Sequence, residues 1–159
     1  MTPPERVAEA LRGLGLADSV RVFGRSTATA AEAAEAVGCE PGQIVKTLLF
    51  VADGRPTMVL VAGDRQVDTA QLAAILGVGR KRLKMGTAEE VRAYTGFEVG
   101  AVAPVGWPTR VDVVVDASLR RFEHVWAAAG AANAVFGVGT VELVAAIGGQ
   151  WADIARGRV

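Results

Sequence analysis

Cysteine and histidine are almost absent: 159 residues contain one of each, Cys39 and His124. A lone cysteine excludes an internal disulfide and any multi-cysteine metal site. A lone histidine removes most of the usual parts of serine-protease-like and zinc-hydrolase chemistry. Cys39 sits in VGCEPG, which reads as a turn, with no basic run beside it to lower a thiol pKa, so a structural role is expected. His124 lies in RFEHVWAAAG, an apparent strand, where packing or surface placement is expected rather than catalysis. No apolar run approaches the roughly 20 residues of a membrane-spanning helix, and no membrane partner is expected. The opening MTPPERVAEALRGLGL mixes acidic and basic residues into its apolar pattern, unlike a secretory signal, so a cytoplasmic location is expected. Net charge is lacking too, with 17 basic and 17 acidic residues. No global field draws the chain onto nucleic acid; RNA contact would be local, and DNA is not an expected partner. With neither a Walker motif nor GxGxxG, no cofactor is expected, and no metal.

What is present is apolar: 51% of residues are hydrophobic, enough for one compact domain with a substantial core across residues 1–159. Val7, Ala10, Leu11 and Leu14 recur at helical spacing, and Gly15 follows as a stop. Thr29 with Glu32, Asp68 with Gln71, and Thr87 with Glu90 read as capping boxes that open helices closed by Gly38, Gly77 and Gly96. Thr140 begins a final helix. Strands are expected at 20–23, 43–51, 57–63, 110–115 and 122–128, with a short one in KRLKM, while AGAANAVFG reads as a loop. The two strands flanking ADGRP form a hairpin, which argues against a purely parallel doubly wound sheet. The expected architecture is α/β of the α+β type, a mixed and mostly antiparallel sheet with a barrel-like core surrounded by helices.

Two features stand out chemically. In IVKTLLFV, Lys46 is the sole charged member of the row Ile44, Lys46, Leu48 and Phe50, which shares one strand face. Such a lysine is held by an acidic group, bound to an anionic ligand, or extended to solvent past the strand end. The second feature is TGFEVGAVAPVGWP, residues 95–108, where glycines and small residues leave backbone N–H groups uncovered. That stretch is either an ordinary loop or an element that positions water or an oxyanion.

Together, Lys46 in IVKTLLF, the GxxxP loop continuing to glycine in GAVAPVG, and the tail VVVDASLRRFEHVWAAAGAANAVF resemble the YbaK/EbsC/ProX aminoacyl-tRNA deacylases, also found as editing domains in some prolyl-tRNA synthetases. The resemblance spans nearly the whole chain. It implies a trans-acting hydrolase that cleaves the ester of mischarged tRNA carrying a small amino acid of the Ala, Cys, Ser or Thr class. It also implies that Lys46 positions the terminal phosphate or ester, and that Gly100, Ala103, Pro104 and Gly106 shape the loop beside the scissile carbonyl. Asn133 is a candidate contact to the substrate amino group or ribose, or else a turn former. Phe23, Thr47 and Phe97 are candidate pocket walls. The aminoacylated tRNA 3′ end is the expected partner, with prolyl-tRNA synthetase or another synthetase as a candidate second one. Arg80, Lys81, Arg82 and Lys84 form the best local basic cluster for tRNA, ahead of Arg120 and Arg121; each also fits a solvated face. The rival reading is a non-catalytic module that binds an aminoacyl or nucleotide end beside a synthetase.

Overall fold

Asp53 and Gly54 adopt positive φ, 50° and 80°, which is the backbone of a tight hairpin turn. From that turn β2 (Ile44–Ala52) and β3 (Arg55–Ala62) run antiparallel, in register from Ala52↔Arg55 to Val45↔Ala62. The computed structural model describes residues 1–158. Met58, Val59, Leu60, Val61 and Ala62 of β3 are all 0% exposed. Such an unbroken apolar run belongs to a central strand covered on both faces.

The hairpin is the middle of a mixed sheet. β3 pairs parallel with β6 (Asp112–Asp116), which pairs parallel with β9 (Gln150–Ala152). On the other side β2 pairs parallel with β7 (His124–Ala128), which pairs antiparallel with β8 (Ala134–Gly139). β8 in turn pairs antiparallel with β1 (Val20–Val22), so the order is β1-β8-β7-β2-β3-β6-β9, an open path. A small second sheet joins β4 (Arg65–Val67) to β10 (Ala155–Arg158).

Helices cover both faces because alternate strand residues are apolar on both. Val7 and Leu11 of α1 (Pro3–Gly13), Val91 of α4 (Ala88–Thr95) and Leu143 of α5 (Thr140–Ile147) pack with Leu49, Met58, Leu60 and Phe136. On the opposite face Ala33 and Ala34 of α2 (Ala30–Val37) meet Ile44 and Val135. There too, Leu72 of α3 (Thr69–Leu76) meets Phe50, Val59 and Val114. Thr29 with Glu32 and Thr87 with Glu90 form the expected reciprocal caps, and Thr2 with Glu5 forms another on α1. At α3 the cap is one-sided: Asp68 accepts from the N–H groups of Ala70 and Gln71.

One expectation is overturned. AGAANAVFG is not a loop throughout, since Ala134–Gly139 forms β8 and is paired on both edges. Gly137 and Gly139 weaken the strand signal in sequence, but the structure needs Gly137: a Cβ there would meet His124 Cε1 at 2.6 Å and Trp126 Cη2 at 3.0 Å. In KRLKM only Leu83–Met85 is strand, β5, which follows a 3-10 turn at Arg80–Arg82.

β5 positions the site. It pairs with β2 over Phe50–Ala52, whereas β7 occupies the same edge over Ile44–Val45. Among the described ladders, Lys46, Thr47 and Leu48 therefore have no strand partner on that edge.

Candidate active site

The gap in the sheet opens into a cleft of about 250 Å³. Thr27–Ala30 and Ala33 form one wall at the start of α2; Ile44–Leu48 of β2 form the floor; Trp126, Ala128 and Val135 close another side. Val99, Gly100 and Val102 of the GxxxP loop reach it as well.

Lys46 leaves the floor half-buried, and its Nζ donates to the Arg65 carbonyl at 2.6 Å. Asp64 and Asp116 raise its pKa by their charge, but burial is the larger effect and the net shift is downward. Both carboxylates are already committed. Asp64 takes a bidentate contact from Arg121 at 2.8 and 3.0 Å, which holds its carboxyl below the usual range. Asp116, 1% exposed, accepts from the Ala62 N–H and from the N–H and hydroxyl of Ser118. An ammonium has three donors, and Lys46 spends one on a neutral carbonyl, so the others are free to meet an anionic ligand.

Thr47 contributes backbone as well as side chain. The Leu49 carbonyl accepts from the Gly86 N–H on the outer edge of β2. By strand alternation Thr47, two residues earlier, turns its own N–H and C=O to that same edge, inside the gap. Its Oγ1 is buried and has no hydrogen-bond partner. An orphaned hydroxyl in a cleft is a group waiting for a ligand or water.

Gly100 has φ +87°, and a Cβ built on it would meet no atom within 4 Å. It is exposed at the mouth of the cleft. The rest of the loop turns away. Ala103 is fully buried and its carbonyl accepts from Trp107 Nε1 at 2.8 Å. Pro104 and Gly106 line a separate hollow with Trp107 and Val111.

The structure thus brings Lys46, Thr47 and Gly100 together at the cleft, and places the other candidates outside its lining. Phe97 is a core residue, 2% exposed, with the Arg6 guanidinium 4.2 Å from its ring centre. Asn133 Nδ2 donates to the Phe23 carbonyl at 2.9 Å while the Phe23 N–H donates back to the Asn133 carbonyl. That exchange ties the turn before β8 to the end of β1. Phe23 packs beside α2, outside the cleft lining. Arg80, Lys81, Arg82 and Lys84 are exposed, and Arg82 is paired with Asp53. Arg121 is occupied by Asp64 and Arg120 lies over Trp151. Burial, then the charge of Glu40, pushes the Cys39 thiol pKa up, the opposite of an activated nucleophile. Among the described residues, no three His, Cys, Asp or Glu side chains converge as metal ligands.

Sequence reasoning missed Trp126, the small residues Ala28, Ala30 and Ala33, and the carboxylates around Lys46. HVWAA carried a usable signal in its alternation, which sets Trp126 on the face opposite Val125 and Ala127. Nothing local marks Asp64 or Asp116, which reach Lys46 only through β3 and β6.

The chain belongs to the aminoacyl-tRNA editing domain family, whose pattern matches residues 25–146. It is 31% identical to the uncharacterized protein YwhH of Bacillus subtilis over 87% of this chain and 88% of that one. It is 44% identical to the proline--tRNA ligase of Nitratidesulfovibrio vulgaris strain DP4 over 49% of this chain, which is 13% of the ligase. The crystal structure of a proposed trans-editing enzyme for prolyl tRNA synthetase superposes with TM-score 0.92 at 39% identity, covering 99% of both chains.

Proposed function

We propose that this chain is a trans-acting deacylase that hydrolyses the ester of mischarged tRNA bearing a small amino acid of the Ala, Cys, Ser or Thr class. The observation that carries the reading is the convergence of Lys46, the unpaired edge at Thr47 and the bare backbone at Gly100 on one small cleft. An aminoacyl ester is an activated acyl group, so positioning and electrostatics suffice without a triad.

Each group has a role. The Lys46 ammonium meets the terminal phosphate or the ester end. Thr47 offers its N–H, carbonyl and unpartnered hydroxyl to the aminoacyl group. Val99 and Gly100 present backbone at the carbonyl under attack, so that water adds to the carbonyl carbon and the ribose oxygen leaves with a proton. Ala103, Pro104 and Gly106 hold the loop from behind, and Asn133 and Phe23 fix the rim. Ala30, Ala33, Ile44 and Val135 make the wall apolar and close, which favours a small side chain. The basic turn at Arg80–Lys84 contacts tRNA phosphates. Kinship with proline--tRNA ligases supports prolyl-tRNA synthetase as the synthetase whose errors are corrected, and a substrate of charged tRNA is the support for a cytoplasmic location.

The test is a panel of mischarged tRNAs incubated with the purified protein, with ester loss followed over time. Faster loss from one small-residue tRNA than from its correctly charged form is expected. Binding without hydrolysis across the panel would sink the enzyme reading in favour of a binding module.

A further inference from the structure

A cationic and aromatic patch adjoins the cleft, and the roles above leave its Arg21, His124 and Trp126 unused. Arg21 and Phe23 on the β1 edge, and Trp126 and His124 on β7, share one sheet face, because the registers set Arg21 opposite Val135 and Trp126 opposite Gly137. The Arg21 guanidinium lies 5.0 Å from the Phe23 ring centre and 5.7 Å from that of Trp126. His124 meets Trp126 edge-on at 5.5 Å. Gly137 supplies the clearance for both rings. Arg21 and His124 are exposed, and no carboxylate pairs with Arg21 among the described residues. Trp126 itself lines the cleft, so patch and cleft are continuous.

Resting on the deacylase reading, we infer that this patch holds the unpaired 3′ end of the tRNA, with the terminal base stacked on the Trp126 and Arg21 surface. Three observations select this occupant. The ester that must reach the cleft is attached to the terminal ribose, so its base lies within one nucleotide of the lining, where Trp126 stands. A stacked aromatic and guanidinium surface recognises any base by its π-face, as single-stranded RNA readers do. An unpaired arginine supplies the positive charge that the neighbouring phosphates require. The patch thus adds a specificity for the nucleic-acid end to a cleft that selects the amino acid.

The test uses a 5′-labelled, uncharged RNA minihelix ending in single-stranded CCA and a second ending in CC, with binding read by fluorescence anisotropy. Loss of the terminal adenosine should weaken wild-type binding by about 5- to 150-fold, the range of one base–aromatic stack. The same truncation should make no difference to Trp126→Leu, while Trp126→Phe keeps most of the preference. Arg21→Gln should lower the slope of log affinity against log salt by about one unit. If Trp126→Leu fails to fold by thermal melting, the exposed Arg21→Gln decides the matter, and an unchanged salt slope in it overturns the inference. Equal wild-type binding of the two minihelices overturns the inference, as does an undiminished preference in folded Trp126→Leu, and the patch then serves a protein contact. Preference for CCA without deacylation of any charged tRNA would overturn only the deacylase reading.

Discussion

Burial lowers the pKa of Lys46 more than the charges of Asp64 and Asp116 raise it, and this has two consequences of known sign. Activity that needs the ammonium falls as pH rises through the lowered pKa, so its alkaline limb lies below the ordinary lysine range. Asp64→Asn removes one charge that holds the pKa up and should move that limb to still lower pH. Single-turnover deacylation against pH, corrected for spontaneous ester hydrolysis, reads the shift; an unmoved limb would separate Lys46 from the reaction. The unfolded chain also binds this proton more tightly than the folded one, so the charge costs stability below both pKa values, and the cost lessens as pH rises between them. Lys46→Met is therefore expected to abolish deacylation at neutral pH with a melting temperature at or above wild type, and wild-type turnover in that variant would remove Lys46 from the mechanism. Gly100 is sensitive for a different reason. Its φ of +87° disfavours a β-branched residue, and the new side chain would enter open space at the cleft mouth. Gly100→Val should fold and bind tRNA yet deacylate about 100-fold more slowly, the scale of a displacement of about 1 Å at the reacting groups.

Elements separate stability from function through their caps. Thr29 and Thr87 make the same reciprocal cap on α2 and α4, but only Thr29 lines the cleft. Losing either cap costs about 1 kcal/mol. For a chain of this size that is about 2–4 °C in melting temperature. Thr29→Ala and Thr87→Ala should thus melt alike, while only Thr29→Ala loses deacylation, because fraying the first turn of α2 moves the wall at Ala28 and Ala30. Equal activities would show that the start of α2 does not shape the substrate space. β5 matters in the same way, as the short strand that claims Phe50–Ala52 and leaves the edge at Thr47 open.

At the scale of the molecule, no helix among the described residues is long and apolar enough to cross a membrane, and the balanced charge leaves attraction for RNA to local patches. Arg80, Lys81 and Lys84 are exposed and in no ion pair among the described residues. Replacing all three by Ala should weaken minihelix binding for every sequence alike and reduce the salt slope by about three units, with the single-turnover rate at saturation unchanged. A lower saturated rate would put that turn at the chemistry rather than on the phosphates.

Sequence alone determined the helices, the central hairpin, the mixed sheet between helical layers and the family, because caps, period-two apolar runs and the DG turn are local signals that need no partner to be read. It also singled out Lys46, since a charge in an apolar row is visible in one dimension. Tertiary structure decided the rest. β8 is a strand only because β1 and β7 flank it, and Gly137, which reads as a loop residue, clears space for His124 and Trp126. The GxxxP loop is divided, with Gly100 at the cleft and Pro104 and Gly106 at another hollow, because burial of Ala103 turns the chain between them. The open edge at Thr47 arises where two strands distant in sequence, β5 and β7, each pair with part of β2 and neither reaches the middle. Such a gap is a property of pairing between remote segments, and no spacing along one strand can encode it.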